Sequence, residues 1–396
     1  MQPIEDLQAR PPLTRWAPFG LGFRPFFLAA GVYAVLLIAL WLLVLRGVLH
    51  VTELPALVWH GHEMVFGFAV SVIGGFLLTA AQNWTGIRTP SGAPLAGLFA
   101  LWLAGRAAFL VPGLPPALVA AVDLAFLPVL ALSLAVPIAR ARQLNNAPFP
   151  VLLLALTVAN ALVHAEALHW TGATARTGLH LAVYVIVMMI GVMGGRVIPS
   201  FTDNKLQTRA RRWTSIERLA PVASLLALAA ALVAPDSGVT AALAAFAAAV
   251  HGRRLAGWYT PKFWSVPLLW ILHLGYAWIV VGFALLALSA AGWNAAAGSA
   301  LHAFTAGAIG TLTLGMMARV SLGHTGRPLE PPPIMSAAFV AINLAALVRV
   351  ALPLAFPAAY DAILDLAGLI WIAAFGLFAW VYAPMLLRPR VDGKRG

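Results

Sequence analysis

Apolar runs of about 18 or more residues, separated by short clusters of Pro, Gly and charge, recur along the whole chain, and each is long enough to cross a hydrocarbon core as a helix. Their punctuation predicts about twelve spans, near 27–46, 57–81, 94–111, 116–138, 149–170, 178–198, 215–234, 238–252, 264–290, 296–318, 334–354 and 362–387. The eighth run is closed early by His251, Arg253 and Arg254 and has the length of a half-helix; if it does not cross, the topology beyond it inverts. The first run is too long for a signal peptide and has no small-residue cleavage site after it, so it reads as a retained anchor. The expected fold class is all-α: a polytopic membrane protein whose single membrane domain covers 27–387, between an N-terminal tail at 1–26 and a C-terminal tail at 388–396.

Composition agrees with the pattern: 62% of the 396 residues are hydrophobic and 10% charged, with a mean hydropathy of +0.90. Charge adds an orientation. On the twelve-span map only Arg46, Arg106, Arg176 and Arg349, of the 25 Lys and Arg, fall on the side away from the two tails. By the positive-inside rule both termini are expected in the cytoplasm. The formal charge of +12 then describes a basic membrane face opposite anionic lipid. Membrane lipid is the expected partner and nucleic acid is not, since no DNA- or RNA-binding motif accompanies the charge.

The absence of cysteine excludes disulfides, thiolate-bound zinc, iron–sulfur clusters and covalent haem attachment. Any metal must be held by nitrogen, oxygen or methionine sulfur. No phosphate-binding loop, dinucleotide fingerprint or nucleophile signature of a soluble enzyme is present.

The histidines carry the chemical information. His60, His62, His164, His169, His180 and His302 fall at the outer ends of spans two, five, six and ten, with His50 in the first outer loop. His273 falls near mid-membrane, and His251 and His324 on the cytoplasmic side. Glu63 and Glu166 sit in the outer turns of spans two and five, and Asp123, Asp361 and Asp365 open spans four and twelve. Ionisable groups in a bilayer are costly and mark function. Taken singly, an outer-end histidine is equally well an interfacial residue with one wet edge. A layer on four helices points instead to a metal or haem, for which imidazole is a common ligand.

Helical geometry limits how these groups can act. His60 and His62 point about 200° apart on a helix and cannot grip one ion from the same face. Glu63 shares a face with His60, and Glu166 with His169, so each pair reads as a ligand with its orienting carboxylate or as a hydrogen bond that quiets a buried acid. Glu166-x-x-His169 also has the di-iron form, but such sites need about four carboxylates.

The motifs GFRPFFLAAG (22–31), WHGHEMVFGF and GGFLLTAAQNWTG (59–86), GLHLAVY and GGRVIPSFT (178–202), HLGYAW (273–278) and LHAFTAGAIGTLTLGMMARVSLGHTGR (301–327) resemble those of the NnrS family of bacterial membrane proteins, nearly end to end. The resemblance implies a haem- and copper-containing protein of the cytoplasmic (inner) membrane, associated with denitrification and tolerance of nitric oxide, meeting a gaseous or metal-nitrosyl ligand. The haem would be b-type, there being no cysteine for attachment.

A more distant similarity is to subunit I of the haem-copper oxidases, whose second helix opens on a haem histidine followed by a methionine and later by GGF and NW. His60, Met64, Gly74-Gly75-Phe76 and Asn83-Trp84 look like that pattern, and His180 with Tyr184 looks like the copper histidine and tyrosine of helix six. This implies His60 and His302 as haem ligands, His180 as a copper ligand and Tyr184 beside it. Span seven lacks the oxidases' pair of copper histidines, so further copper ligands would come from His62, His164 or His169. Haem propionates need cations, and Arg106 and Arg349 lie at the histidine depth as propionate contacts or as plain interfacial anchors. His273 and Tyr276 share a face near mid-membrane as a candidate relay, ligand or buried hydrogen bond. The alternative to the metalloprotein is a metal-free multi-pass transporter whose outer polar layer binds its substrate, which mid-membrane breaks in the helices would favour.

Overall fold

In hydrocarbon a backbone can satisfy its polar groups only within a helix or a closed barrel, and the apolar runs all become helices. A computed structural model describes residues 16–49 and 54–393; Arg10, Arg15 and His50 lie outside them. The long helices of the described residues are α1 Phe23–Leu45, α2 Ala56–Thr85, α3 Ala93–Ala108, α4 Pro116–Arg140, α5 Pro148–Ala167, α6 Ala175–Leu206, α7 Thr214–Val233, α8 Gly238–Trp258, α9 Pro267–Ala290, α10 Ala296–His324, α11 Pro333–Ala355 and α12 Tyr360–Leu387. Ten of these spans are long and apolar enough to cross a membrane, which makes this a multi-pass membrane protein. The expected number of crossings is about twelve; α3, with 16 residues, and α8, whose 21 residues run on past His251, Arg253 and Arg254 to Trp258, are outside the ten.

Helices adjacent in sequence pack side by side from α3 round to α10, α11 packs on α12, and α1 closes the circuit against α12. The three most buried spans are α2, α6 and α10. They stand four helices apart in chain order, so the chain returns to the centre once in every four helices. Each of the three carries one of the outer-end histidines near its N-terminal end: His60, His180 and His302.

The circuit closes where the start of α1 meets the end of α12. The first helix starts at Phe23, inside the stretch read as the 1–26 tail, and Arg24 is buried in its first turn. Its Nη1 donates to the carbonyls of Leu386 at 3.0 Å and Met385 at 3.3 Å. The last carbonyls of α12 have no partner within their own helix, and the guanidinium supplies one. The Ala17 N–H donates to the Leu387 carbonyl at 2.8 Å beside it.

Two central helices are not α-helical throughout. A π-helical segment occupies Glu63–Ala69 of α2 and another Ala303–Gly310 of α10. Each begins within three residues of a central histidine, His60 or His302. A π turn inserts an extra residue and rotates the rest of the helix around its axis, so a plain α-helical wheel misplaces the neighbours of both histidines. Both segments use glycine where the widened turn meets a side chain: a Cβ on Gly67 would lie 2.6 Å from Tyr33 Cε1, and one on Gly307 2.7 Å from the Trp278 ring.

Candidate cofactor and metal sites

The helix ends that carry His60, His180 and His302 surround a cavity of about 530 Å³, in the range of about 300–1,000 Å³ typical of cofactor and ligand sites. Among the described residues its wall is apolar apart from the three histidines, Thr305, Arg176 and Arg349, and none of them is a carboxylate. The His60 ring stacks on Trp41 with centroids 4.3 Å apart and planes 16° apart, and its Nδ1 is buried without a hydrogen-bond partner. His302 donates its Nδ1–H to the Gly298 carbonyl at 2.8 Å. That bond fixes the tautomer and leaves the lone pair on Nε2, the usual way a ligating histidine is oriented. His180, from α6, lies nearly parallel to Tyr184, with ring centroids 6.1 Å apart. Arg349 donates to the Tyr360 hydroxyl at 3.0 Å, which holds its guanidinium at the cavity wall.

The opposite face of α2 bounds a second assembly. Here His62 and Glu63 of α2, Arg106 of α3, Asp123 of α4, and Asn160 and His164 of α5 are all buried. His62 Nε2 lies 2.8 Å from Asn160 Oδ1 and 3.1 Å from Asp123 Oδ2, while Asn160 Nδ2 donates to Asp123 Oδ2 at 2.7 Å. His164 Nε2 is 2.9 Å from the same oxygen. Arg106 donates to Glu63 Oε1 at 2.6 Å and to Asp123 Oδ1, and the Tyr33 hydroxyl donates to Glu63 Oε2. Both ring nitrogens of His62 face carboxylate oxygens, Nδ1 being 2.9 Å from Glu63 Oε1. Two carboxylates share one guanidinium, so neutrality of the buried cluster calls for one further positive charge, from a proton or a bound cation. One ligand atom each from His62, Asp123 and His164 lie within 4.8 Å of one another, a spacing suited to a metal ion.

The sequence-derived residues thus fall into two separate groups. His60, His180, His302 and Arg349 meet at the cavity, whereas His62 and His164 meet Asp123 behind α2. These two histidines do not join His180, and His169 joins neither group: it sits exposed beyond the end of α5 with φ 57°. Glu166 turns from His169 to accept the Ala175 N–H at 2.6 Å. Glu63, expected to orient His60, instead bonds His62, Arg106 and Tyr33. Arg106 does not reach the cavity as a propionate contact would; it is engaged between Glu63 and Asp123, and Arg176 stands in the cavity wall with Arg349. His60 and His62 face different surroundings, in keeping with their angular separation.

His273 and Tyr276 do not bond each other. His273 donates Nδ1–H to the Leu269 carbonyl at 3.0 Å and stacks on Phe263. Tyr276 belongs to a buried chain near the opposite end of the bundle: its hydroxyl is 2.7 Å from His251 Nδ1 and accepts from Arg254 at 3.0 Å. His251 Nε2 reaches Ser224 Oγ at 2.7 Å, and Arg254 pairs with Glu217. Reading His251 as a cytoplasmic-side residue missed this burial. Asn160 and Tyr33 were also missed; a lone Asn or Tyr in an apolar run carries no spacing signal, although each needs a partner there.

Among curated proteins, none matches the chain. A family model described as NnrS protein matches residues 17–390, including both assemblies and every long helix. On that match over nearly its whole length, the chain belongs to the NnrS family.

Proposed function

We propose that this is a haem- and copper-containing protein of the bacterial cytoplasmic membrane that serves the response to and tolerance of nitric oxide, in association with denitrification, with both termini on the cytoplasmic side. The observation that carries the reading is the cavity with His60 and His302 in its wall, from two separate central helices, one with its tautomer set and the other with a buried ring nitrogen unpartnered. The wall fits a large, flat, mostly apolar group with acidic edges: apolar faces, two guanidinium groups and, among the described residues, no competing carboxylate. His60 and His302 would hold the haem iron, with Arg349 at the propionates and Arg176 joining it. Bound there, haem would supply a redox-active iron, open to a diatomic gas where one of the two imidazoles gives way.

The chain's own residues do the rest. Trp41 holds the His60 ring by stacking, and Gly298 holds the His302 ring by its carbonyl. The apolar wall keeps water from the metal. For copper the donor chemistry offers His180 in the cavity, backed by Tyr184, and the His62, Asp123 and His164 group behind α2, whose nitrogen and oxygen donors suit a divalent copper ion. The long central helices run unbroken among the described residues, which favours the metalloprotein over a metal-free transporter built on broken helices.

The test is a visible spectrum with iron and copper assays on purified protein. Haem absorption is expected, lost or altered in both His60→Ala and His302→Ala. A colourless, metal-free preparation from haem-replete cells would favour the transporter. An unchanged band in both variants would refute the ligand pair, and unchanged copper in His180→Ala would remove that residue from the copper site.

A further inference from the structure

A second cavity, of about 100 Å³, lies in the bundle further from the histidine end, among α1, α2, α5, α6, α9 and α10. Its wall is hydrocarbon and methionine, with Thr313 the polar side chain in it, and the Thr313 hydroxyl is spent on the Gly310 carbonyl at 3.0 Å. Water held in a protein interior needs about two to four polar partners, and apolar cavities of about 150 Å³ stay dry yet take benzene or xenon. This wall offers water no partner.

All three central helices line both cavities. Along α2 the wall passes from Val65 of the histidine cavity to Ala69 of the apolar one, along α6 from Val183 to Ile186, and along α10 from Ala306 to Ile309. Each step is three or four residues, about one helical turn. The two spaces therefore lie about one turn apart along each central helix, with an alanine in the wall of each, Ala69 and Ala306.

We infer that the apolar cavity is a docking site for a small uncharged diatomic gas, held about one helical turn from the cofactor cavity and exchanging with it. The volume admits a diatomic molecule, and the lack of polar partners rejects water and ions. Gas partitions into the surrounding hydrocarbon, so the cavity has a supply that an aqueous site lacks. Its role as a reservoir rests on the haem reading above; its capacity to bind an apolar atom does not.

Xenon is the probe. Crystals of the full-length wild-type protein under xenon pressure should show a xenon atom among Val72, Met189 and Leu312. Met193→Phe and Ile73→Phe, on two different helices, place a ring in the space and should each lower xenon occupancy by about tenfold, equivalent to about 1.4 kcal/mol, with the visible spectrum unchanged. Where carbon monoxide displaces an imidazole from the reduced haem, both variants should also change the fraction that rebinds without leaving the protein after flash photolysis. No xenon in the wild type, equal occupancy in both variants, or ordered water or a lipid acyl chain filling the space would each overturn the docking site. Xenon bound in a preparation without haem would leave the docking site standing and remove the reservoir role together with the haem reading.

Discussion

Arg106 on α3 joins Glu63 on α2 to Asp123 on α4, donating to both carboxylates from a position in which all three side chains are buried. One cation thereby ties three helices together, bonding two acids and offsetting one of their two charges. Removing one partner of a buried ion pair leaves an uncompensated charge and costs about 3–5 kcal/mol. Arg106→Leu should lower the unfolding temperature of the detergent-solubilised protein substantially, and Glu63→Gln in the same background should recover part of the loss. An unchanged transition in Arg106→Leu would show that the pairs do not stabilise the fold.

A metal ion at His62, Asp123 and His164 would need the lone pairs of two imidazoles that now face carboxylate oxygens. Binding must then release protons, so affinity rises as pH rises and falls as pH is lowered. Asp123→Asn should reduce bound metal by about one ion per chain if the site has one set of three ligands, with the haem band retained. Metal content independent of both pH and Asp123 would remove the ion from this group.

Arg349 lines the cavity and is held by Tyr360. A hydrogen bond to a charged group contributes about 1.5–3 kcal/mol. Arg349→Leu should keep the spectrum set by the histidine ligands but release haem to a scavenger about tenfold faster or more. Equal release rates would place the propionates elsewhere.

Tyr276 bridges His251 and Arg254 far from the histidine cavity. Tyr276→Phe leaves two buried polar groups short of a partner, a cost of about 1–3 kcal/mol. Thermal unfolding should occur at lower temperature while metal content and spectrum stay the same. A shifted spectrum would instead connect this chain to the cofactor.

Chain pattern and chain folding contributed unequally to the two sites. His60, His180, His302 and Arg349 were readable because depth in a membrane follows from position along a hydrophobic run, and groups at one depth on separate helices are candidates to meet. Arg106 has the same depth as Arg349 yet faces the opposite assembly. Depth alone cannot separate them, since the azimuth of a helix is set by its neighbours. Glu63 keeps the α-helical spacing from His60, but its carboxylate is drawn to His62, Arg106 and Tyr33, partners that spacing along one helix does not reveal.

By itself the amino-acid sequence determined that the chain is helical, membrane-spanning and cysteine-free, with its imidazoles concentrated at one end, because hydrophobic length, charge and residue type are one-dimensional properties. Tertiary structure decided the partition of those imidazoles into a cavity and a carboxylate cluster, the burial of His251 and Arg24, and the apolar space one turn away. Those outcomes depend on which helix faces which, a matter of packing among side chains distant in the chain.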